Sequence, residues 1–193
     1  MMVKICGITN RDDALAAAEA GASAIGFNFY RDSPRYISPT GAATIAEKLP
    51  ASVWRVGVFV NEAPETIAKV ALDAGLDVAQ LHGTSAARGI RIWRAIPADA
   101  PIPEQLTEAA EALLIDTPSA GLFGGTGKTW DWGKAAGRSW KLIVAGGLDA
   151  SNVRQAIKQA QPWGVDACSR IEKSPGVKDH EKMRNFVKAA LGS

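Results

Sequence analysis

The feature that most constrains this chain is an exchange between two periodicities that runs its whole length. Short runs rich in Val, Ile, Leu and Phe alternate with alanine-rich amphipathic stretches. A side-chain period of about 2 thus gives way repeatedly to one of about 3.6. Strands are predicted at "VKIC", "AIGFNF", "WRVGVFV", "VAQLH", "IRIWRAI", "ALLIDT", "KLIVAGG" and "GVDACS". Helices are predicted at "RDDALAAAEAG", "APETIAKVALDAG" and "DASNVRQAIKQAQ", each opening beside Asp, Asn or Pro, and two of them closing on glycine. Several strands are apolar on both faces, as in a parallel sheet covered by helices. Eight strands with intervening helices count out a single-domain α/β fold over 1–193, a (β/α)8 or TIM barrel. A doubly wound open sheet is the structural alternative. No G-x-G-x-x-G follows the first strand, so the dinucleotide-binding form of that sheet has no support.

Composition narrows the function classes. With 193 residues, 47% of them hydrophobic, the chain has enough apolar content for one sizeable core. A formal net charge of +2 without an arginine-rich helix argues against nucleic acid as a partner. The two cysteines, Cys6 and Cys168, are too few and too far apart for a disulfide framework or a zinc site, which points to a reducing cytosol and no metal. "MMVKIC" does not read as a signal peptide, and no apolar run approaches the roughly 20 residues of a membrane span. A cytoplasmic protein acting on a small molecule is expected.

In a barrel of this kind, chemistry belongs at the C-terminal ends of the strands and in the loops after them. Those ends carry Cys6, Arg31 and Arg35, Asn61, Gln80 and His82, Asp116, the pair Gly146 and Gly147, and Ser169 and Arg170 of "DACSR". Each has a plain structural reading as well. A cysteine packs as a small hydrophobe, Asp116 before Thr117 and Pro118 caps a turn, His82 sits satisfied at a rim, and Arg35 is solvated in a loop. "GGLDASN" has glycines followed by a helix start, the form in which backbone N–H groups hold phosphate after strands 7 and 8. "GGTGKTW" is not a P-loop, because Leu122 stands where G-x-x-x-x-G-K-[ST] needs its first glycine. It reads instead as a loop that closes over substrate and excludes water.

Taken together, "KICGIT", "GFNFYRDSPRYIS", "VGVFVN", "QLHG", "LLIDT", "GGTGKTWDW", "AGGL" and "SPGVKD" resemble the phosphoribosylanthranilate isomerases, in family order and over nearly the whole chain. The resemblance implies a cofactor-free Amadori rearrangement in tryptophan biosynthesis. It implies Asp116 as the general acid, Cys6 as the general base, and Arg35 as the holder of the anthranilate carboxylate. Gly146, Gly147 and Ser169 would hold the phosphate, with His82 as a further substrate contact. Strand 8 departs from the family pattern: "GVDVSSGVE" becomes "GVDACSRIE", which places Cys168 beside Cys6 and replaces a glycine by Arg170. That guanidinium could bind the phosphate dianion. Strand alternation turns Cys168 inward, so oxidation of the two thiols is expected to impair activity. Lys4, below Cys6, is expected to pair with Asp166 on the neighbouring strand. Two further readings are a dual-substrate isomerase, which would want a half-to-half repeat the sequence lacks, and a non-catalytic sugar-phosphate-binding barrel. Either a monomer or a homodimer is compatible with the sequence.

Overall fold

The computed structural model describes residues 1–106, 109–117 and 129–192. Eight parallel strands close in sequence order into a barrel: β1 (Met2–Ile5), β2 (Ala24–Asn28), β3 (Trp54–Val60), β4 (Val78–His82), β5 (Arg91–Pro97), β6 (Ala110–Asp116), β7 (Lys141–Val144) and β8 (Gly164–Ala167). Closure comes from β1 pairing with β8, in the register Met2↔Gly164, Lys4↔Asp166 and Ile5↔Ala167. Each predicted strand is present, with ends that differ by a few residues at most.

The helices depart more from expectation. Among the described residues five are present: α1 (Arg11–Glu19), α2 (Pro39–Ala46), α3 (Pro64–Asp73), α4 (Val153–Ala160) and α5 (His180–Leu191). Among the described residues, none follows β4 or β5, and a single 3-10 turn, Trp132–Ala135, precedes β7. The eightfold alternation is therefore complete in strands and incomplete in helices. The reason is local. Residues 83–90 are too few for a crossing helix, and 98–106 contain Pro101 and Pro103, which lack the donors a helix interior needs. The helix α2, by contrast, has Ser38 as its cap, with the hydroxyl accepting from Gly41 N, and Pro39 in its first turn. Asp179 caps α5 by accepting from the amides of Glu181 and Lys182. Between β8 and α5 lies a short hairpin, β9 (Glu172–Ser174) and β10 (Val177–Lys178), which strand patterning did not foresee.

Two apolar clusters follow from strand alternation. Residues pointing outward from the strands, such as Val3, Ile25, Phe27 and Val165, pack against the helices. Inward-pointing residues fill the barrel, among them Met2, Ala24, Val56, Val78, Trp93, Leu114 and Ile143. At the N-terminal end, Trp54, Trp93 and Trp163 meet at centroid distances of 5.8–5.9 Å and plug the interior. Burying large aromatic surface there leaves the polar inward positions to the opposite end of the strands. No helix among the described residues is long and apolar enough to cross a membrane.

Candidate active site

Polar chemistry begins one layer below the rim. Lys4 and Asp166, register partners on β1 and β8, form the expected ion pair at 2.9 Å, with the lysine fully buried. Gly26 makes room for it, because a Cβ there would lie 2.8 Å from Cys6 Sγ and 3.1 Å from Lys4 Cε. Cys6 is the first residue past β1, its amide still donating to Ala167 O at 2.9 Å. The chain then turns through Gly7 at φ +72°, a conformation that favours glycine.

Above this layer opens a cavity of about 250 Å³, lined by Cys6, Asn28, Arg35, His82, Asp116 and Cys168 among others. Strand ends thus bring the predicted thiol, carboxyl, imidazole and guanidinium to one concavity. Asp116 ends β6, and its Oδ1 accepts from the amide of Thr117 at 2.7 Å. Gly146, at φ +88°, is held against that same turn. A Cβ there would lie 2.1 Å from Thr117 Oγ1 and 3.0 Å from Asp116 Oδ1.

The electrostatics divide the two central groups. A hydrogen bond from Cys168, followed by the charge of Lys4, holds the Cys6 thiol well below its ordinary range against the opposing effect of burial. Lys178 adds to this. Burial works against the charge on Lys4, but Asp166 and Cys6 outweigh it and keep the ammonium protonated. Asp116 moves the other way. Burial, helped by the Cys6 charge and opposed by the Thr117 amide and Lys4, pushes it up to about 6. The fold therefore favours a thiolate and a protonated carboxyl facing one cavity. His82 is lowered to about 4 by burial and by the charge of Lys4, so it is neutral at pH 7. Its Nε2 lies 2.9 Å from Gln80 Nε2; with the amide donating, the ring proton is on Nδ1.

Arg35 reaches the cavity, but part of its guanidinium is committed. Its Nε donates to Glu172 at 3.0 and 3.2 Å, and Nη2 donates to the same carboxylate at 2.7 Å. Lys178, itself buried, donates to Glu172 Oε1 at 2.8 Å and stands 3.8 Å from Cys168 Sγ. Burial opposes the Glu172 charge, and these two cations hold the carboxyl below its usual range. Glu172 and Lys178 received no role from the sequence. The signal was there in "SPGVKD", which resembles the family, but only the β9–β10 hairpin shows that it folds back under the cavity.

A second, smaller cavity of about 20 Å³ adjoins the first and is lined by Asp116, Gly146, Gly147, Ser169 and Arg170. The predicted phosphate-binding residues are therefore brought together, just before α4 begins. Their groups are partly engaged. Asn152 Nδ2 donates to Gly147 O at 2.8 Å, and Arg170 pairs with Asp149 at 2.5 Å. The glycine-rich loop expected to close over the site lies, up to Lys128, outside the described residues.

A barrel whose C-terminal mouth sets a thiol lowered in pKa against a carboxyl raised in pKa has the form of the (β/α)8 enzymes that move protons by general acid–base catalysis. The comparisons are narrower. The family model "N-(5'phosphoribosyl)anthranilate (PRA) isomerase" matches residues 3–189. The isomerase of that name from Solibacter usitatus is 50% identical over the full length of both chains. Among solved structures, a phosphoribosylanthranilate isomerase in complex with reduced 1-(o-carboxyphenylamino)-1-deoxyribulose 5-phosphate is 40% identical, with a TM-score of 0.84 and complete coverage of both chains. Monomers of the dimeric enzyme from Thermotoga maritima match at 41% identity, again with a TM-score of 0.84 and complete coverage of both. The chain belongs to the N-(5'-phosphoribosyl)anthranilate isomerase family, intramolecular aldose–ketose isomerases of tryptophan biosynthesis.

Proposed function

We propose that the cavity catalyses the Amadori rearrangement of N-(5'-phosphoribosyl)anthranilate with Asp116 as general acid and Cys6 as general base. Asp116 gives its proton to the furanose ring oxygen. The C1–O bond opens, and the nitrogen lone pair forms a protonated Schiff base. The Cys6 thiolate then removes the proton from sugar C2, leaving an enolamine that tautomerises to the ketone. No electrons leave the substrate and no group is transferred, so one acid and one base suffice.

The observation that carries this reading is the opposite displacement of the two groups at one cavity: a thiol held well below its ordinary range and a carboxyl raised to about 6. A base must be ionised and an acid protonated within one turnover: the Cys168 hydrogen bond and the charge of Lys4 serve the first, and burial serves the second. Arg35 presents the remainder of its guanidinium to the anthranilate carboxylate while Glu172 fixes its plane. The small cavity between Gly146 and Arg170 takes the phosphate, near the N-terminus of α4. His82, neutral and buried, supplies a hydrogen-bonding wall rather than a proton.

Turnover of phosphoribosylanthranilate by purified Cys6→Ala and Asp116→Asn proteins tests the assignment. Each is expected to lose about 10²- to 10⁴-fold in kcat while remaining folded. A folded variant of either kind with near-wild-type turnover would remove that residue from the mechanism.

A further inference from the structure

The family reaction needs one thiol, yet the cavity holds two. Cys6 and Cys168 occupy the next register position after Ile5↔Ala167 on neighbouring strands. Adjacent strands stand about 4.8 Å apart, and disulfides join Cα atoms about 4.4–6.8 Å apart. Both side chains face the same cavity and are partly accessible through it. Cys168 Sγ stands 4.0 Å from Glu172 Oε1 and 3.8 Å from Lys178 Nζ at the wall of that cavity. Gly7 leaves the space in which that sulfur sits, since a Cβ there would lie 3.0 Å from Cys168 Sγ.

We propose that Cys6 and Cys168 form a reversible intramolecular disulfide that switches the enzyme off when a hydroperoxide reaches the cavity. In the first step the Cys6 thiolate attacks one peroxide oxygen and the O–O bond breaks. Sulfur is oxidised by two electrons to the sulfenic acid, and the other peroxide oxygen leaves as hydroxide, or as alkoxide from an organic hydroperoxide, and takes a proton from solvent to give water or the alcohol. In the second step the Cys168 sulfur attacks Cys6 Sγ. The S–S bond forms, the S–O bond breaks, and the hydroxyl leaves as water with the Cys168 proton. A dithiol reverses the bond by exchange.

The surroundings suit the two roles. Cys6 is the ionised member and therefore the one that attacks peroxide. Cys168 keeps its proton mainly through its hydrogen bond to Cys6, and next through burial. Once Cys6 has become a neutral sulfenic acid, that restraint is gone. Lys178 at 3.8 Å and Arg35 remain to favour a Cys168 thiolate. The loss of activity, though not the bond itself, rests on the reading of Cys6 as the base.

The test treats wild-type protein with excess hydrogen peroxide, follows turnover, and maps the peptides before and after dithiothreitol. The expected result is a linked peptide joining Cys6 to Cys168, a fall in turnover of about a hundredfold or more, and recovery with the dithiol. Cys168→Ser protein under the same treatment is expected to carry added oxygen on Cys6 as the sulfinic acid, with activity that the dithiol does not restore. A wild-type protein in which Cys6 gains oxygen while Cys168 stays a free thiol overturns the proposal. So does a Cys168→Ser protein that recovers as fully as wild type. A linked peptide with turnover intact would uphold the disulfide and remove Cys6 as the base, so the two failures are distinguishable.

Discussion

Lys4 shows how one buried charge serves both fold and site. Its ammonium binds Asp166 at 2.9 Å and lowers the Cys6 thiol from the same position. Removing one partner of a buried pair leaves the other uncompensated, at a cost of about 3–5 kcal/mol. Lys4→Met is therefore expected to lower the unfolding free energy read from urea titration by that amount and to shift the ultraviolet thiolate titration of Cys6 upward. An unchanged titration would confine Lys4 to the ion pair. Asp116 presents the opposite balance. A carboxyl held at about 6 in the fold against 3.8 in the open chain costs about 3 kcal/mol at neutral pH. The sign follows from proton binding: the folded state binds more protons between the two values, so stability falls as pH rises through that window and stays lower above it. Asp116→Asn should thus unfold at higher denaturant than wild type at pH 7 while losing turnover; equal or lower stability would contradict the burial of that charge. Lys4, Cys6 and Asp166 were legible in the sequence, because strand alternation and barrel closure place them. Glu172 and Lys178 were not. Their burial depends on a two-residue and a three-residue strand, too short for any period to register.

At the scale of elements, the turn after β7 presses on Asp116, the proposed acid. Gly146 has φ +88° and touches the β6–loop junction so closely that any side chain would displace Thr117 and Asp116. Gly146→Ala is expected to cost about 1–3 kcal/mol through backbone strain, with a loss of kcat/KM larger than the loss of stability alone explains. Thermal melting beside a steady-state assay separates the two, and unchanged kcat/KM in the folded variant would detach Gly146 from the acid. The glycines were visible in "AGGL" as a turn, and the structure adds what the turn presses against. The helices α1, α3 and α4 were readable from the Asp, Asn or Pro at their starts and from amphipathic spacing, though of these only α1 carries a side-chain cap. The absence of helices after β4 and β5 is explained by short or proline-bearing connections, which a count of strands and helices overlooks.

For the whole molecule, this uneven cover predicts uneven local stability. The outer faces of β1 and β2 pack under α5 and α1, and that of β4 under α3, while β5 and β6 are covered largely by irregular chain among the described residues. Amide exchange followed by mass spectrometry should therefore deprotect β5 and β6 before β1, β2 and β4. Late exchange of β5 and β6 would show that the irregular segments protect the wall as well as helices do. The fold was legible at this scale because eight buried parallel strands leave few ways to close a sheet.

The proposed mechanism turns on the division of protons between Cys6 and Asp116, and the pH dependence of kcat/KM for phosphoribosylanthranilate reads it most directly. A thiol held well below its ordinary range and a carboxyl that loses its proton near 6 predict an alkaline limb beginning at about pH 6, above which kcat/KM falls. A kcat/KM that instead keeps rising to about pH 9, as a cysteine with its ordinary pKa ionises, would contradict the assignment of base and acid.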